Sequence, residues 1–382
     1  MSSVALSVSD LFKLFTTDQG GVKAVQGINF NVESGDFFTL LGPSGCGKST
    51  TLRCIAGLER PDGGDIVIED TVVVSADRKF FMPTHKRPIG MVFQSYAIWP
   101  HMNVFDNVAF PLTQGSVRLP KSQVRDRVLE ALQLVRLEGL EKRPAPQLSG
   151  GQQQRLALAR ALVREPKALL LDEPLSNLDA KLRDEMRIEL KLLTQRLNIT
   201  TIFVTHDQLE ALTLSDQIAI MQEGHIIQLG TPQDIYSAPA SKFAAEFIGN
   251  TNMFEGKVTS SSADGLQVNV GVANLDCSSL HTFAVGDAVA VAVRPENCRV
   301  TVDQPANVDG NVLEGQVETV VFLGDALDCR IRVGDYLVRS HLHPSSSVQA
   351  GDTVYLAMLT SDCRVLPFDS VAVTPQVARV TA

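Results

Sequence analysis

The sequence predicts a two-domain chain, an α/β domain with a largely parallel sheet followed by an all-β module of barrel type. In the first domain, continuous apolar runs at 37–41 (FFTLL), 168–172 (ALLLD) and 201–205 (TIFVT) alternate with helical patterns, as in sheets covered on both faces. Later in the chain, short runs such as LQVNV and CRIRV are separated by Gly, Asp and Pro turns, which is typical of β-barrels. We therefore place the domains at residues 1–242 and 243–382.

Inside the first domain, residues of about 95–155 form a predicted helical subdomain that is inserted into the sheet domain. The run 125–135 (RDRVLEALQLV) carries Val128 and Leu132 at a helical spacing, which indicates a helix with one apolar face. A shorter helix is expected over 241–249 (SKFAAEFIG), where the final glycine ends it.

Composition narrows the class of protein. The chain has 382 residues, with 44% hydrophobic and 20% charged residues, as in ordinary globular proteins. Its net charge of −9 argues against a nucleic-acid partner, because phosphate backbones select basic surfaces. No apolar run approaches the roughly 18 residues that span a bilayer, and the start lacks the pattern of a secretory signal. We expect a chain that stays in the cytoplasm and does not itself cross a membrane.

The six cysteines are expected to be reduced, because none forms a CxxC pair. Cys298, Cys329 and Cys363 share the pattern CR[VI], so in strands each would point inward while the following Arg faces water. Three thiols could gather around a metal ion. The alternative, small residues in an apolar core, is favoured because free Cys behaves as a buried hydrophobe.

A glycine-rich loop follows the first buried strand. GPSGCGKST matches GxxxxGK[ST], with FFTLL before it and a helical run after it. The glycines let backbone N–H groups converge on phosphate at a helix N-terminus, whereas a glycine turn packed only for shape is the alternative. Lys48 would reach the β- and γ-phosphates, and the Ser49 hydroxyl would ligate Mg²⁺. The candidate ATP-binding residues are Gly42, Pro43, Ser44, Gly45, Cys46, Gly47, Lys48, Ser49 and Thr50.

An acidic pair, Asp172 and Glu173, ends the buried strand ALLLD. Acidic residues also end strands as solvated turns, so the pair alone is weak. Beside a phosphate loop it has a mechanical rationale, because Asp172 can bind Mg²⁺ or its water and Glu173 can polarise an attacking water.

A second glycine pair opens another predicted helix. LSGGQQQR (148–155) offers the Ser149 hydroxyl and the N–H groups of Gly150 and Gly151 at a helix N-terminus, which is a second anion site. A Ser N-cap on an amphipathic helix is a sufficient local explanation. The order GPSGCGKST, FQSYAIWPH, LSGGQQQR, LLLDEPLSNLDAKL, TIFVTHD, however, resembles the ATP-binding cassette (ABC) ATPases, and the resemblance covers residues 1 to about 245.

The resemblance implies that two copies of the chain close head to tail. LSGGQ is the signature of the family, and Ser149, Gly150, Gly151 and Gln152 would cap the γ-phosphate of ATP held by the other copy. Asp179, in SNLDA, matches the loop that signals between the two sites.

Other roles are also implied by the resemblance. Phe15 falls where the family stacks an aromatic residue on adenine, with core packing of its ring as the alternative. Gln94 matches the glutamine that contacts Mg²⁺ and the attacking water, so the predicted metal ligands are Ser49, Gln94 and Asp172. His206 matches the switch histidine that holds the γ-phosphate and orients Glu173, which makes Glu173, His206 and Gln94 the predicted catalytic residues.

The implied partners are membrane subunits. In importers of this family the region that corresponds to Tyr96–Phe105 receives a helix of the permease, although interior packing of Trp99 is the competing interpretation. An external solute-binding protein would act indirectly. The C-terminal module, with AVRPEN and VETVVFLG as markers, resembles the oligonucleotide/oligosaccharide-binding (OB)-like regulatory domain, called TOBE, of maltose-importer-type ATPases.

We therefore expect an ATPase subunit that energises a solute importer, with ATP and Mg²⁺ as its cofactors. An ABC-type ATPase of DNA or chromosome maintenance is the alternative, but such proteins carry long coiled coils between loop and signature, and this chain has no heptads there. A kinase-like or regulatory P-loop protein would lack LSGGQ and the switch histidine. By resemblance around FQSYAIWPHM, the expected solute is ferric iron or a polyamine.

Overall fold

The computed structural model describes residues 3–17, 20–114, 119–262, 265–306 and 308–368. They form two compact units, and the second starts at Gln233, earlier than the predicted residue 243. Two short helices, over residues 232–237 and 242–247, lie at this boundary. They belong to the second unit because the Arg294 side chain donates hydrogen bonds to the carbonyls of Tyr236 (2.9 Å) and Ala245 (3.1 Å).

The described residues form eight α-helices and 21 β-strands. The helices are α1 (Lys48–Ala56), α2 (Val104–Thr113), α3 (Lys121–Leu134), α4 (Gly150–Leu162), α5 (Ala180–Leu197), α6 (Gln208–Leu214), α7 (Pro232–Ser237) and α8 (Lys242–Phe247). The strands of the first unit are β1 (Val4–Thr17), β2 (Gly20–Glu33), β3 (Phe37–Leu41), β4 (Gly63–Ile68), β5 (Thr71–Ser75), β6 (Phe80–Phe81), β7 (Ile89–Val92), β8 (Ala168–Asp172), β9 (Thr200–Thr205), β10 (Gln217–Gln222) and β11 (His225–Gly230). The strands of the second unit are β12 (Asn252–Ser262), β13 (Gly265–Asn269), β14 (Asn274–Ser279), β15 (Ala288–Val293), β16 (Arg299–Thr301), β17 (Gly310–Phe322), β18 (Leu327–Val333), β19 (Tyr336–Leu342), β20 (Thr353–Leu359) and β21 (Arg364–Pro367).

The predicted parallel sheet is confirmed. Its six strands run in the order β11-β10-β3-β9-β8-β7, and only the β10–β11 pair is antiparallel. The three strands that the apolar runs predict, β3, β9 and β8, are adjacent and buried at every residue. Since parallel strands end at one edge of the sheet, Gly42, Glu173 and His206, each directly after a strand, meet at that edge.

A second sheet of the first unit is not predicted by the sequence analysis. It is antiparallel, with the order β2-β1-β4-β5-β6. In the C-terminal part of β2, from Ile28 to Val32, every second residue is buried, as expected for a sheet with one solvated face. Phe30 of this sheet stacks on Phe38 of β3, with ring centroids 4.9 Å apart, so the two sheets share one core.

The helical subdomain is built from α2, α3 and α4, which contact one another. The helix α3 covers the predicted helix except its last residue, Val135, which is the C-cap, and Val128 and Leu132 are fully buried as expected. The helix α4 continues to Leu162, past residue 155 where the predicted subdomain ends, because Leu156 and Ala157 extend its buried face. No helix in the described part of the chain has both the length and the apolar content that a bilayer crossing requires.

The second unit contains the same strand order twice. The segment 254–258 (FEGKV) lies in the first strand of one copy and 313–317 (LEGQV) in the first strand of the other. The segments 286–293 (GDAVAVAV) and 351–358 (GDTVYLAM) pair with these strands at matching registers. This correspondence indicates an internal duplication.

The two copies exchange their last strands. The strands β12, β13, β14 and β15 of the first copy form a barrel that β21, from the second copy, closes. In return β16, the last strand of the first copy, pairs with β20 in the sheet β16-β20-β17-β18-β19. The predicted all-β barrel module is thus confirmed, and the exchange makes its two halves depend on each other.

Equivalent cysteines precede the last strand of each copy. Cys298 and Cys363 directly precede β16 and β21, after short 3₁₀ turns, so they lie outside the strands in which they are predicted; Cys329 is inside β18. All three thiols are buried. Asn252 donates to the sulfur of Cys298 and Asn311 to that of Cys363, both at 3.3 Å. All three thiols therefore fill the core, and those of Cys298 and Cys363 also accept side-chain hydrogen bonds there.

Candidate functional site

The glycine-rich loop joins β3 to α1. Gly47 is the N-cap of α1 with φ of 107°, and a Cβ atom there would lie 2.2 Å from the carbonyl oxygen of Ala24. Only glycine satisfies both constraints. No side chain caps the first turn of α1, so its N–H groups are available to an anion.

The polar side chains of this loop turn toward the end of β8. The Ser49 hydroxyl donates to Asp172 Oδ1 at 2.8 Å, and the Arg53 guanidinium lies 4.0 Å from the other oxygen of that carboxylate. The Lys48 ammonium donates to the carbonyls of Gly42 (2.8 Å) and Pro43 (2.9 Å). Two hard oxygen donors, one of them charged, thus lie side by side at a phosphate-type loop. This donor chemistry fits Mg²⁺, which also keeps waters and phosphate oxygens as ligands.

Phe15 lies in the antiparallel sheet, where it pairs with Val22 across the β1–β2 ladder. Its ring is half-buried, and the Lys13 ammonium is 5.0 Å from the ring centroid. Ala24, whose carbonyl approaches Gly47, is two residues from Val22 on the same strand. The ring therefore lies on the strand next to the one that contacts the loop.

Glu173 occupies an unusual backbone conformation directly after β8. Its φ is 44°, in the left-handed region, which a non-glycine residue adopts only when neighbours hold it there. Its N–H donates to the carbonyl of Val204 (3.0 Å), and its carbonyl accepts from the Ser176 hydroxyl (2.9 Å). These bonds to the adjacent strand and to the following turn fix where the carboxylate points.

The other two predicted catalytic residues both contact the Glu173 carboxylate. His206 Nδ1 is 3.2 Å from Oε2, and Gln94 Nε2 donates to the same oxygen at 3.3 Å. The histidine side chain is 56% exposed, whereas that of Glu173 is 19% exposed. The structure thus brings together the three side chains that the sequence predicts as catalytic, and both neighbours can orient a carboxylate that accepts a proton from water.

Sequence reasoning missed the buried carboxyl behind His206. Glu210 and Thr205 line a cavity of about 70 Å³ together with Glu173 and His206. The Thr205 hydroxyl donates to Glu210 at 2.5 Å and accepts from the Asp207 N–H at 2.9 Å. Burial raises the pKa of Glu210, and the bond from Thr205 opposes that shift. A carboxylate one helical turn after His206, in THDQLEA, is the signal that could have identified it.

The second glycine pair begins α4. Ser149 is the N-cap, and it exchanges hydrogen bonds with Gln152 in a capping box. The N-cap interpretation is therefore correct locally, and it leaves the signature interpretation open. Among the described residues, no hydrogen bond joins 149–152 to the loop 42–50, so the two anion sites of one chain make no direct bond. We call α4 the signature helix.

The turn after Glu173 connects several of these elements. Asp179 caps α5 by accepting from the Leu182 N–H at 3.0 Å. Asn177, which the sequence analysis missed, donates to the backbone carbonyl of Gln94 at 2.7 Å. A Cβ atom on Gly151 would lie 3.1 Å from the Leu182 side chain, so the signature helix begins beside α5. The turn therefore lies between the Gln94 segment and the signature.

The apolar segment Tyr96–Phe105 lies between the sheet and the helical subdomain. The Trp99 ring packs on Phe110 of α2, with centroids 4.1 Å apart, and remains half-buried. Pro100 and His101 beside it are exposed. Interior packing of Trp99 is thus observed, and the segment still presents surface to a partner.

Cys46 provides a test of the loop. Its thiol is buried within the loop and lies 3.8 Å from the Lys48 ammonium. Burial raises the pKa of Cys46, and the Lys48 charge opposes that rise. We expect alkylation with a maleimide to be slow at neutral pH, to accelerate as the pH rises toward the thiol pKa, and to abolish ATP binding. Bound ATP should protect the thiol.

Mass spectrometry of the labelled peptide and nucleotide binding measured on the same sample check this expectation. A Cys46→Ser chain is the control, because alkylation should leave its ATP binding unchanged. Full labelling of Cys46 with intact ATP binding would show that the loop does not hold the phosphates.

Comparison with known families identifies both units of the chain. The profile described as ABC transporter matches residues 25–176, and the profile described as TOBE domain matches residues 291–366. The first match contains the glycine-rich loop, the signature helix and the acidic pair.

Curated relatives match almost the whole chain. The spermidine/putrescine import ATP-binding protein PotA of Rubrobacter xylanophilus is 44% identical over 370 residues, which are 95% of this chain and 94% of the relative. The protein of the same name from Trichormus variabilis is 43% identical over 364 residues, which are 94% of this chain and 92% of the relative. These relatives give no support to a role in DNA maintenance.

Solved structures resemble the cassette unit. A dimeric post-hydrolysis state of the ATP-binding cassette MJ0796, bound to ADP and Pi, has a TM-score of 0.51 and 31% identity, and covers 59% of this chain and 98% of its own. The cbiO1 subunit of the Clostridium perfringens cbiONQ transporter has a TM-score of 0.53 and 32% identity, and covers 61% of this chain and 90% of its own.

Proposed function

Because the chain belongs to the family of importer-type ABC transporter ATP-binding proteins, we propose that the solute it helps to import is a polyamine of the spermidine or putrescine class. Family membership makes the chain an ATP-binding ATPase that energises an importer. The observation that carries the choice of solute is the end-to-end similarity to polyamine-import relatives, at 44% and 43% identity. It favours polyamine over ferric iron, the other solute that the sequence indicated.

In the proposed site, the residues 42–50 bind the phosphates of ATP and Phe15 stacks on adenine. Lys48 exchanges its bonds to the loop carbonyls for bonds to phosphate oxygens. Ser49 and Asp172, already 2.8 Å apart, would hold Mg²⁺ together with Gln94. The ion would supply neutralisation of charge on the phosphate oxygens.

Glu173 is the proposed general base. Its strained turn and its hydrogen bonds to β9 and to Ser176 hold the carboxylate in place, so that it can accept a proton from a water aligned with the γ-phosphate. His206 orients this carboxylate and contacts the phosphate, while Gln94 positions the water. Positioning of this kind is the main contribution of a protein to phosphoryl transfer, because the reaction requires little covalent chemistry from it.

The proposed reaction centre is completed by a second copy of the chain. Ser149, Gly150, Gly151 and Gln152 lie at the N-terminus of the signature helix and would face the γ-phosphate on that copy. Asp179 caps α5, and α5 packs beside the signature at Gly151. Asp179 would therefore connect the two sites. The position of Ser149 at a helix end, whose dipole favours anions, supports this arrangement.

The proposed membrane partner is a pair of permease subunits, which would contact Tyr96–Phe105 at the cytoplasmic face of the membrane. An external solute-binding protein would act through these subunits. No nucleic acid is expected, in line with the net charge of −9. The duplicated TOBE-type module is proposed to be regulatory.

Reconstitution tests the proposed solute. The chain is combined with its transmembrane subunits in proteoliposomes, and ATP hydrolysis and uptake of labelled putrescine or spermidine are measured with the loaded binding protein. We expect polyamine to raise both rates and ferric iron to raise neither. Stimulation of ATP hydrolysis by ferric iron, or no stimulation by either polyamine, would contradict the proposal. A chain with Glu173→Gln, which should not turn over ATP, is the control.

A further inference from the structure

A buried cation of the signature helix has no acidic partner. Arg160 is 9% exposed, and within the described residues it forms no ion pair. Its guanidinium instead donates to two successive backbone carbonyls, those of Tyr96 and Ala97, both at 2.6 Å. Burial lowers the pKa of Arg160. A charge that is buried at this cost normally serves a specific contact.

The backbone that receives these bonds is strained. Tyr96 has φ of 61° and Ala97 has φ of 46°, so two successive non-glycine residues occupy the left-handed region. Such a pair persists only where its surroundings hold it. The two bonds from Arg160 bind the carbonyls of this pair, so the turn depends on the signature helix.

Trp99, two residues after Ala97, extends the contact to α2. The Arg160 guanidinium lies 4.7 Å from the centroid of the Trp99 ring, and that ring packs on Phe110. The Asn107 side chain accepts from the Trp99 N–H at 3.0 Å and donates to its carbonyl at 3.2 Å. We call residues 96–99 the Trp99 segment; it is held by the signature helix on one side and by α2 on the other.

Arg160 and Ser149 lie at opposite ends of the same helix. The helix has no proline in its interior, and eleven residues of α-helix span about 16 Å. A helix of this length moves as a rigid element, so displacement of Ser149 displaces Arg160 with it. The two ends therefore report on each other.

We propose that Arg160 is a positioning residue that couples the Trp99 segment to the signature helix. Closure of Ser149 on the ATP of a second copy then moves the Trp99 segment, and a partner bound at the Trp99 segment biases closure by the same coupling. This inference rests on the proposed function, in which the segment contacts the permease and the signature contacts the second copy.

The chain contains a single tryptophan, which makes Trp99 a built-in probe. A full chain that carries Glu173→Gln, which should bind ATP without turning it over, is titrated with MgATP. Tryptophan emission and, by sedimentation, dimer formation are recorded together. We expect the emission to change along with dimer formation, and this change to be lost when Arg160 is replaced by Met.

Arg160→Met alone could destabilise the strained turn. Ala97→Gly removes the strain at one of its two residues, because glycine adopts positive φ freely. The double variant Arg160→Met with Ala97→Gly therefore retains the turn and lacks the bonds to α4. Ala97→Gly alone and Arg164→Met, which removes an exposed arginine four residues later, are matched controls that should keep the emission change.

The outcomes separate the two proposals. The coupling role of Arg160 would be overturned if the double variant formed ATP-driven dimers and showed the same emission change as the Glu173→Gln parent. It would also be overturned if the parent formed dimers without any change in emission. Absence of ATP-driven dimers in the parent would count against the composite site of the proposed function.

Hydrogen exchange without nucleotide tests the coupling independently of the dimer. Compared with Ala97→Gly, the double variant should exchange faster both in the Trp99 segment and at the first turn of the signature helix. Faster exchange confined to the Trp99 segment would overturn the inference, because it would show a local structural role only.

Discussion

Replacement of Glu173 by Gln is expected to leave ATP binding and dimer closure intact and to lower turnover by about 10²- to 10⁴-fold, the range for loss of a general base. Glutamine has the size of glutamate and can keep contacts with His206 and Gln94, which lie 3.2 and 3.3 Å from the carboxylate oxygen. It cannot accept the proton of the attacking water as a carboxylate does. The variant should therefore accumulate as an ATP-bound dimer.

Hydrolysis of ATP under single-turnover conditions measures this effect without the influence of product release. ATP affinity is determined in parallel by equilibrium binding. Glu185→Gln, which neutralises an exposed carboxylate on α5, is the matched control and should hydrolyse ATP at the parental rate. Near-normal hydrolysis by the Glu173 variant would exclude this residue as the base.

The second large effect is expected from mixed dimers that pair a Lys48→Ala chain with a Ser149→Arg chain. Each homodimer lacks an essential group in both of its sites and should be inactive. In a mixed dimer, one site lacks both groups and the other contains Lys48 of one chain and Ser149 of the other. The mixture should therefore regain activity that neither parent has.

The size of this recovery follows from symmetry. With equal amounts of both chains, about half of the dimers are mixed and each has one complete site, so at most about a quarter of the parental rate is expected if the sites act independently. Because Ser149 caps α4, the fold of the Ser149→Arg chain is checked by circular dichroism before mixing. A mixture as inactive as both homodimers would contradict sites that are shared across the interface.

Residues at strand ends could be predicted from the sequence because their geometry follows from local rules. A continuous apolar run predicts a buried parallel strand, and parallel strands end at one edge of a sheet. Gly42, Glu173 and His206 follow such runs, so their proximity was predictable. Lys48 and Ser49 were predictable as well, because the spacing of the glycine-rich loop defines their positions relative to the first turn of α1.

Residues that act through distant contacts could not be predicted in this way. Asn177 binds the carbonyl of Gln94 across 83 positions, and Arg160 binds that of Tyr96 across 64. A buried arginine without an acidic partner has the same local pattern as any arginine in an amphipathic helix. The antiparallel sheet was missed for a related reason, since its long strands have no continuous apolar run.

The C-terminal module shows the same division. FEGKV and LEGQV, with the two later GD segments, make the duplication readable in the sequence. That β21 closes the barrel of the first copy while β16 pairs with β20 of the second depends on which edges the folded sheets leave open, and no local pattern records that.

The sequence by itself determined the family, the cassette with its phosphate loop, the acidic pair and the signature, because each rests on residues close together in the chain. Only the tertiary structure decided how these parts are held: the left-handed turn at Glu173, the link from Arg160 to the Trp99 segment and the exchanged strands. These features depend on backbone carbonyls and sheet edges from remote parts of the chain, and every residue type presents the same carbonyl group, so the amino-acid pattern does not distinguish them.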